Sequence, residues 1–120
     1  LIYLFKNCLF SIFPSYKEGW GLPIGESLWF GRPVICSNTS SMPEVAGELA
    51  DYIDPHDPQS IVDTALKMIT DPAYRDERAA EIARARLRSW ADVAADLWRA
   101  LTDLDGSRRS AWAQNQAIET

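Results

Sequence analysis

The sequence predicts an α/β fold: a short parallel sheet with helices packed on it and helices alone at the C-terminal end. Three observations carry this. Short apolar runs alternate with helical patterns through the first half of the chain, an order that favours a parallel sheet in a layered α/β architecture. Turn formers separate the two kinds of segment, notably Gly19, Gly21 and Gly31. From Asp57 onward only helical periodicity remains.

Leu1 to Asn7 read as the last turns of a helix whose start is expected upstream of Leu1. Leu9-Phe10-Ser11-Ile12-Phe13 is an apolar run stopped by Pro14, which suits a buried strand. A turn over 15–22 follows. Pro23 is placed for the first helical position, where its missing N–H is of no consequence. That helix is expected to stop at Gly31. Val34-Ile35-Cys36 is the second strand, and 38–41 a polar loop. Ser41 and Glu44 have capping-box spacing and open a short helical turn ended by Gly47. Asp51-Tyr52-Ile53 is the third strand. Asp57 caps a helix with Pro58 at its first position and Ile61, Leu66 and Ile69 as its apolar face. Asp71-Pro72 opens the next helix in the same manner. Ser89 caps the last, where Trp90, Val93, Ala94, Leu97, Leu101 and Leu104 recur at helical spacing. Three short strands make a thin sheet, and a fuller Rossmann-like unit would need strands upstream of Leu1. The domain is expected over 1–104, with a polar, flexible tail at 105–120.

The 120 residues hold one domain at most, and 47% apolar residues supply its core. With 12 Lys and Arg against 17 Asp and Glu, the net charge is −5. That argues against nucleic-acid binding, which needs a basic surface. Cys8 and Cys36 both sit among apolar neighbours and read as reduced core thiols rather than a disulfide scaffold. His56 is the only histidine, so no zinc site and no histidine-based triad is expected. Lys6 interrupts the apolar N-terminus, which does not read as a signal peptide. No apolar stretch reaches the roughly 18 residues of a membrane span. A cytoplasmic location is expected.

The chemistry concentrates in Glu18-Gly19-Trp20-Gly21-Leu22-Pro23-Ile24-Gly25-Glu26. Ligands of open α/β sheets bind outside the carboxyl ends of the strands, and 14–22 is such a post-strand loop. Gly19 and Gly21 let the backbone approach a ligand closely. Leu22 cannot cap the following helix, so its first N–H groups are expected to need another partner, and a phosphate would serve. Glu26, expected on the first helical turn, has two acceptor oxygens that match the vicinal hydroxyls of a ribose. Glu18 could accept from a sugar ring. Together the two would measure out a nucleotide-linked sugar.

Each feature also has a plainer reading. Glu26 alone could be compensating a helix dipole. Glu18 alone could be a solvated loop residue, and Trp20 a packing residue. Gly19-x-Gly21 is no dinucleotide fingerprint, because position 24 is Ile, and a dinucleotide-dependent oxidoreductase is disfavoured for that reason. Arg75, Arg78, Arg84, Arg86 and Arg88 alternate with Glu77 and Glu81 and read as a solvated face, with anionic lipid as a weaker alternative.

Taken in order, three segments form a pattern: Phe13 through Leu28, then Gly31-Arg32-Pro33-Val34-Ile35-Cys36-Ser37, then Met42-Pro43-Glu44-Val45. It closely resembles the C-terminal half of group 1 glycosyltransferases (family 4, GT-B fold), from about Leu1 to Leu104. The resemblance implies a partial Rossmann-like GT-B C-terminal domain. It implies a retaining transferase that takes a sugar from a nucleoside-diphosphate sugar, GDP-mannose or a UDP-sugar, without a metal or other cofactor. Glu18 would contact the donor sugar and Glu26 the ribose. Backbone of Gly19, Trp20, Gly21 and Leu22 would lie against sugar and phosphate, and the loop of Asn38, Thr39 and Ser40 near the pocket. The acceptor would be a glycan or a lipid-linked one in bacterial polysaccharide or lipopolysaccharide assembly, at the inner face of the plasma membrane. The version of the loop at 38–44 looks most like mannosyltransferase members.

The chain departs from that family by what it lacks: an N-terminal acceptor domain and a basic element for the pyrophosphate. The 120 residues alone are therefore expected to be inactive. Trp90, Leu97 and Leu101 either bury against such a partner domain or pack locally. The rival reading is a non-catalytic module, a truncated relic or docking subunit, that binds nucleotide sugar or a partner chain.

Overall fold

A computed structural model describes the backbone of residues 1–116 and the side chains of 1–103. The chain divides into two compact units, Leu1–Arg86 and Leu87–Thr120. The first holds α1 (Ile2–Asn7), β1 (Ser11–Phe13), α2 (Leu22–Trp29), β2 (Val34–Ser37), α3 (Met42–Ala46), a 3-10 turn (Gly47–Leu49), β3 (Ala50–Ile53), α4 (Pro58–Thr70) and α5 (Pro72–Arg84). The second holds α6 (Trp90–Gln116). Residues 117–120, the end of the tail expected to fray, lie outside the described residues.

The sheet is parallel throughout, in the order β1-β2-β3. Ser11 pairs with Val34, and Val34 in turn with Ala50. Every residue of the central strand β2 is buried, as a strand covered on both faces requires. Alternation sends Ile35 toward α4, where it joins Ile53 and Met68 in one core cluster with Phe10, Ile61, Ala65 and Tyr74 around it. The fold is thus the partial Rossmann-like α/β arrangement the sequence predicts. The first strand begins at Ser11 rather than Leu9, which is exposed, and β2 and β3 each gain one residue.

Helix ends follow local chemistry. At the end of α2, Gly31 sits at φ +70°, its N–H reaches Leu28 O at 2.9 Å, and the Arg32 N–H reaches Ser27 O at 2.9 Å. This is a Schellman stop, and it turns the chain straight into β2. Arg32 then reaches α1, donating from Nε to Phe5 O at 3.0 Å and also to Lys6 O, so a cation meets the negative helix end. Ser27, fully buried, accepts from Ser11 Oγ at 2.8 Å and joins α2 to β1. Asp57 and Asp71 cap α4 and α5, accepting from Gln59 N–H at 2.9 Å and Tyr74 N–H at 3.0 Å. In the second unit Ser89 caps α6: its Oγ accepts from the Asp92 N–H at 3.2 Å, and Asp92 accepts back from the Ser89 N–H at 2.8 Å.

Several details correct the sequence reading. The buried face of α4 is Ile61, Ala65 and Met68, spaced four and three apart, so Leu66 and Ile69 point outward and are exposed. Cys8 is only half-buried, while Cys36 is fully buried with its thiol pushed up to about 11, by burial first and the Asp51 charge second. Two of the arginines on α5 are not solvated. Arg75 donates to Met68 O at 2.7 Å, and Arg78 donates to Asp51 at 3.2 Å, to Glu48 O at 3.0 Å and to Glu81. On α6, Trp90, Leu97 and Leu101 lie on exposed helix surface, and the Leu104 side chain is outside the described residues.

The Asp51 carboxylate joins sheet to helices. It accepts from the Tyr74 hydroxyl on one oxygen and from Arg78 on the other. The Lys67 ammonium lies 3.4 Å from the Tyr74 ring centroid. Burial, the hydrogen bond to Asp51 and the Asp51 charge push the Tyr74 phenol up to about 12. An unfolded tyrosine ionises near pH 10, so this contribution to stability is complete below about pH 10 and drains away between about pH 10 and 12. Tyr74→Phe is expected to cost about 1 kcal/mol near neutrality and to flatten the alkaline loss of stability. Urea unfolding across that range checks it; Tyr52, also raised by burial, leaves a residual slope.

Candidate functional site

Because the strands are parallel, the loops after β1, β2 and β3 leave the same edge of the sheet. These are 14–21, 38–41 and 54–57, and the structure ties them together. Thr39 Oγ1 donates to Tyr16 O at 3.2 Å. Ser40 Oγ donates to Glu18 O at 2.8 Å and accepts from the Glu18 N–H at 3.3 Å. Ser41 Oγ donates to Glu18 O at 3.2 Å. The Tyr16 ring lies against His56 of the third loop, centroids 4.9 Å apart. Asn38 uses its backbone N–H on Ile53 O at 3.0 Å, and its side chain is exposed with no partner among the described residues.

Glu18 is half-buried, and its Oε1 accepts from Ser15 Oγ at 2.7 Å. The other carboxylate oxygen has no protein partner among the described residues. Ser15 was not singled out from sequence, although Ser15-x-x-Glu18 is the spacing at which a hydroxyl meets a carboxylate three residues on. The same spacing at Ser41 and Glu44 behaves otherwise. Ser41 occupies the N-cap of α3 but makes no side-chain cap bond: Pro43 at the second helical position has no N–H, the Glu44 N–H is taken by Ser41 O at 3.0 Å, and the hydroxyl donates to Glu18 O.

Gly21, not Leu22, is the N-cap of α2, at φ +80°. A left-handed residue there turns the loop into the helix, which places Pro23 second. The first turn then carries no acidic residue, so Glu26 lies just beyond it, half-buried, with no partner among the described residues. This removes dipole compensation within the first turn as an explanation for Glu26. Ile24 N–H is satisfied by Gly21 O at 3.0 Å. The N–H groups of Gly19, Trp20, Gly21 and Leu22 have no protein acceptor among the described residues. Four consecutive donors thus lead into a helix N-terminus, an arrangement that suits an anion. Trp20 and Leu22 side chains are both exposed beside them. A Cβ added at Gly19 would meet nothing within 4 Å, and its φ is ordinary, so nothing in the protein itself demands glycine at that position.

Residues 1–87 match the protein family described as glycosyl transferases group 1. The O-antigen chain mannosyltransferase B of Escherichia coli is 38% identical over 91 residues, 75% of this chain and 24% of its own length. The serotype-specific mannosyltransferase WbdA of Escherichia coli is 40% identical over 95 residues, 78% of this chain and 12% of its own. A D-inositol 3-phosphate glycosyltransferase of Thermobifida fusca is 30% identical over 106 residues, 86% of this chain and 24% of its own. The chain therefore spans a quarter or less of the length of these relatives.

The two glycines of the loop are expected to differ. Gly21→Ala places a Cβ 3.1 Å from Ile24 Cδ1 at a left-handed φ and is expected to cost about 1–2 kcal/mol of stability. Gly19→Ala is expected to stay within about 0.5 kcal/mol of the parent. Urea midpoints of the two variants, read side by side, check this.

Proposed function

The chain belongs to the group 1 glycosyl transferases, and from that premise we propose that it forms the donor-binding part of a retaining hexosyltransferase. The donor is a nucleoside-diphosphate sugar. The relatives named as mannosyltransferases favour mannose, and GDP-mannose is the donor we put forward. The single observation that carries the reading is the run of four unaccepted N–H groups between Glu18 and α2, flanked by two carboxylates with free oxygens. The N–H groups face the diphosphate, Glu26 takes the ribose hydroxyls, and the free oxygen of Glu18 takes a hydroxyl of the sugar.

In this reading the residues position and neutralise rather than attack. Donors fixed before the substrate arrives stabilise charge that develops on the departing diphosphate. Neither glutamate is a nucleophile. No metal and no cofactor is part of the proposal, and among the described residues no three His, Cys, Asp or Glu side chains are grouped to share an ion. The acceptor, a glycan or lipid-linked glycan of bacterial polysaccharide assembly, is placed in a further domain, as is the base that pairs with the diphosphate. We place the protein in the cytoplasm, at the inner face of the membrane. No helix among the described residues is long and apolar enough to cross one.

Calorimetric titration with GDP tests the reading. Glu26→Ala is expected to weaken GDP binding at least about tenfold, the equivalent of one charge-assisted hydrogen bond. Gly19→Ala is expected to weaken it while leaving the urea midpoint unmoved. Equal GDP affinity in all three proteins would sink the assignment. Absence of GDP binding, together with tight binding to a separately expressed acceptor domain, would favour the docking-module reading. The 120 residues by themselves are expected to transfer no mannose from GDP-mannose, and measurable turnover would overturn that part.

A further inference from the structure

We propose that Thr39, Ser40 and Ser41 are positioning residues: their hydroxyls clasp the backbone at Glu18 and fix its carboxylate for the donor sugar. This rests on the reading of Glu18 as a sugar contact.

Glu18 lies on an irregular loop that offers its peptide groups no ladder or helix partner. Both are nevertheless satisfied. The carbonyl accepts from Ser40 at 2.8 Å and Ser41 at 3.2 Å, and the N–H donates to Ser40 at 3.3 Å. Two residues earlier, the Tyr16 carbonyl accepts from Thr39 at 3.2 Å. Three successive hydroxyls of the post-β2 loop are thus spent on one short stretch of the post-β1 loop. The remaining freedom, rotation of the carboxylate, is limited by Ser15 at 2.7 Å. One oxygen of Glu18 is left for a ligand, on a backbone held from a neighbouring strand.

The clasp is made against local preference at Ser40. It is held at φ +57°, the one left-handed residue other than glycine among the described residues. Local violations of this kind gather where a site needs a fixed geometry. A loop tie that served stability alone would gain by placing glycine at position 40.

That contrast supplies the test. In Ser40→Gly the backbone conformation is relieved and the hydroxyl is lost. The 120-residue chain and this variant are compared in thermal midpoint, in amide hydrogen exchange over residues 16–22, and in calorimetric affinity for GDP and for GDP-mannose. We expect a midpoint unchanged or raised and faster exchange at the Glu18 amide, the one N–H of 16–22 with a partner among the described residues. We expect GDP affinity unchanged and GDP-mannose affinity about tenfold lower, the loss of one hydrogen-bond equivalent at the sugar. Thr39→Val, which removes a hydroxyl at nearly constant shape, is expected to act in the same direction. Exchange at the Glu18 amide unchanged in both variants overturns the clasp. Equal weakening of GDP and GDP-mannose, or a midpoint that falls in step with affinity, overturns the positioning role in favour of a structural one. A parent chain with affinity for neither ligand overturns the donor reading itself, and the exchange measurement then still decides the clasp.

Discussion

Parallel pairing of three short strands is the constraint on which the rest depends. Strands of three and four residues carry few ladder bonds, and β2 can be parallel to both neighbours only if each connection crosses back along the sheet. Those crossovers are α2 and the α3 segment, and they return the chain to the same edge every time. Three post-strand loops therefore meet at one edge, although 20 residues separate β1 from β2 and 12 separate β2 from β3. The burial of Val34 through Ser37 on both faces anchors this geometry. The Asp51, Tyr74 and Arg78 cluster ties β3 to α5 and keeps the third strand in register with the helices.

What the loops do with this meeting point is governed by hydrogen-bond satisfaction. An irregular loop must find partners for its peptide groups. In 14–21 the partners divide sharply. The Tyr16 carbonyl and both peptide groups of Glu18 are taken by hydroxyls of the neighbouring loop, and the N–H groups from Gly19 to Leu22 have no acceptor among the described residues. The boundary falls at the residue whose carboxylate is also aimed by Ser15. A rigid half and a receptive half share one loop, and the left-handed turn at Gly21 delivers the receptive half to the start of α2. This is the geometry expected of a site that recognises an anion joined to a polyol.

Membership of the group 1 glycosyl transferases is consistent with this chemistry and sets its scale. The relatives are several times longer than the matched segment, and in the proposed reading these residues furnish one side of a larger active centre. The division of labour proposed here follows from that. In that proposal this part supplies fixed donors and carboxylates for the nucleotide sugar, and acceptor choice and linkage reside elsewhere.

By itself the sequence determined the order of elements, the parallel architecture, the helix stop at Gly31 and the helix starts at Asp57, Asp71 and Ser89, and it singled out the Glu18 to Glu26 segment as a candidate site. These are local signals: a glycine that can turn left-handed, an aspartate that can cap, an apolar run of strand length. Only the tertiary structure decided which face of α4 is buried, because Ile61, Leu66 and Ile69 and the observed Ile61, Ala65 and Met68 both fit a helix, and the sheet selects between them. It likewise decided that Arg78 is a part-buried ion-pair residue rather than a solvated one, since Asp51 meets it across 27 residues. It decided what Thr39, Ser40 and Ser41 do, because a hydroxyl has several possible acceptors, and the nearest competent one is a carbonyl from another strand's loop. Ser41 finds no N–H to cap at the start of its own helix, because Pro43 has none and that of Glu44 is held by Ser41 O; its hydroxyl proton goes to the Glu18 carbonyl, brought close by parallel pairing.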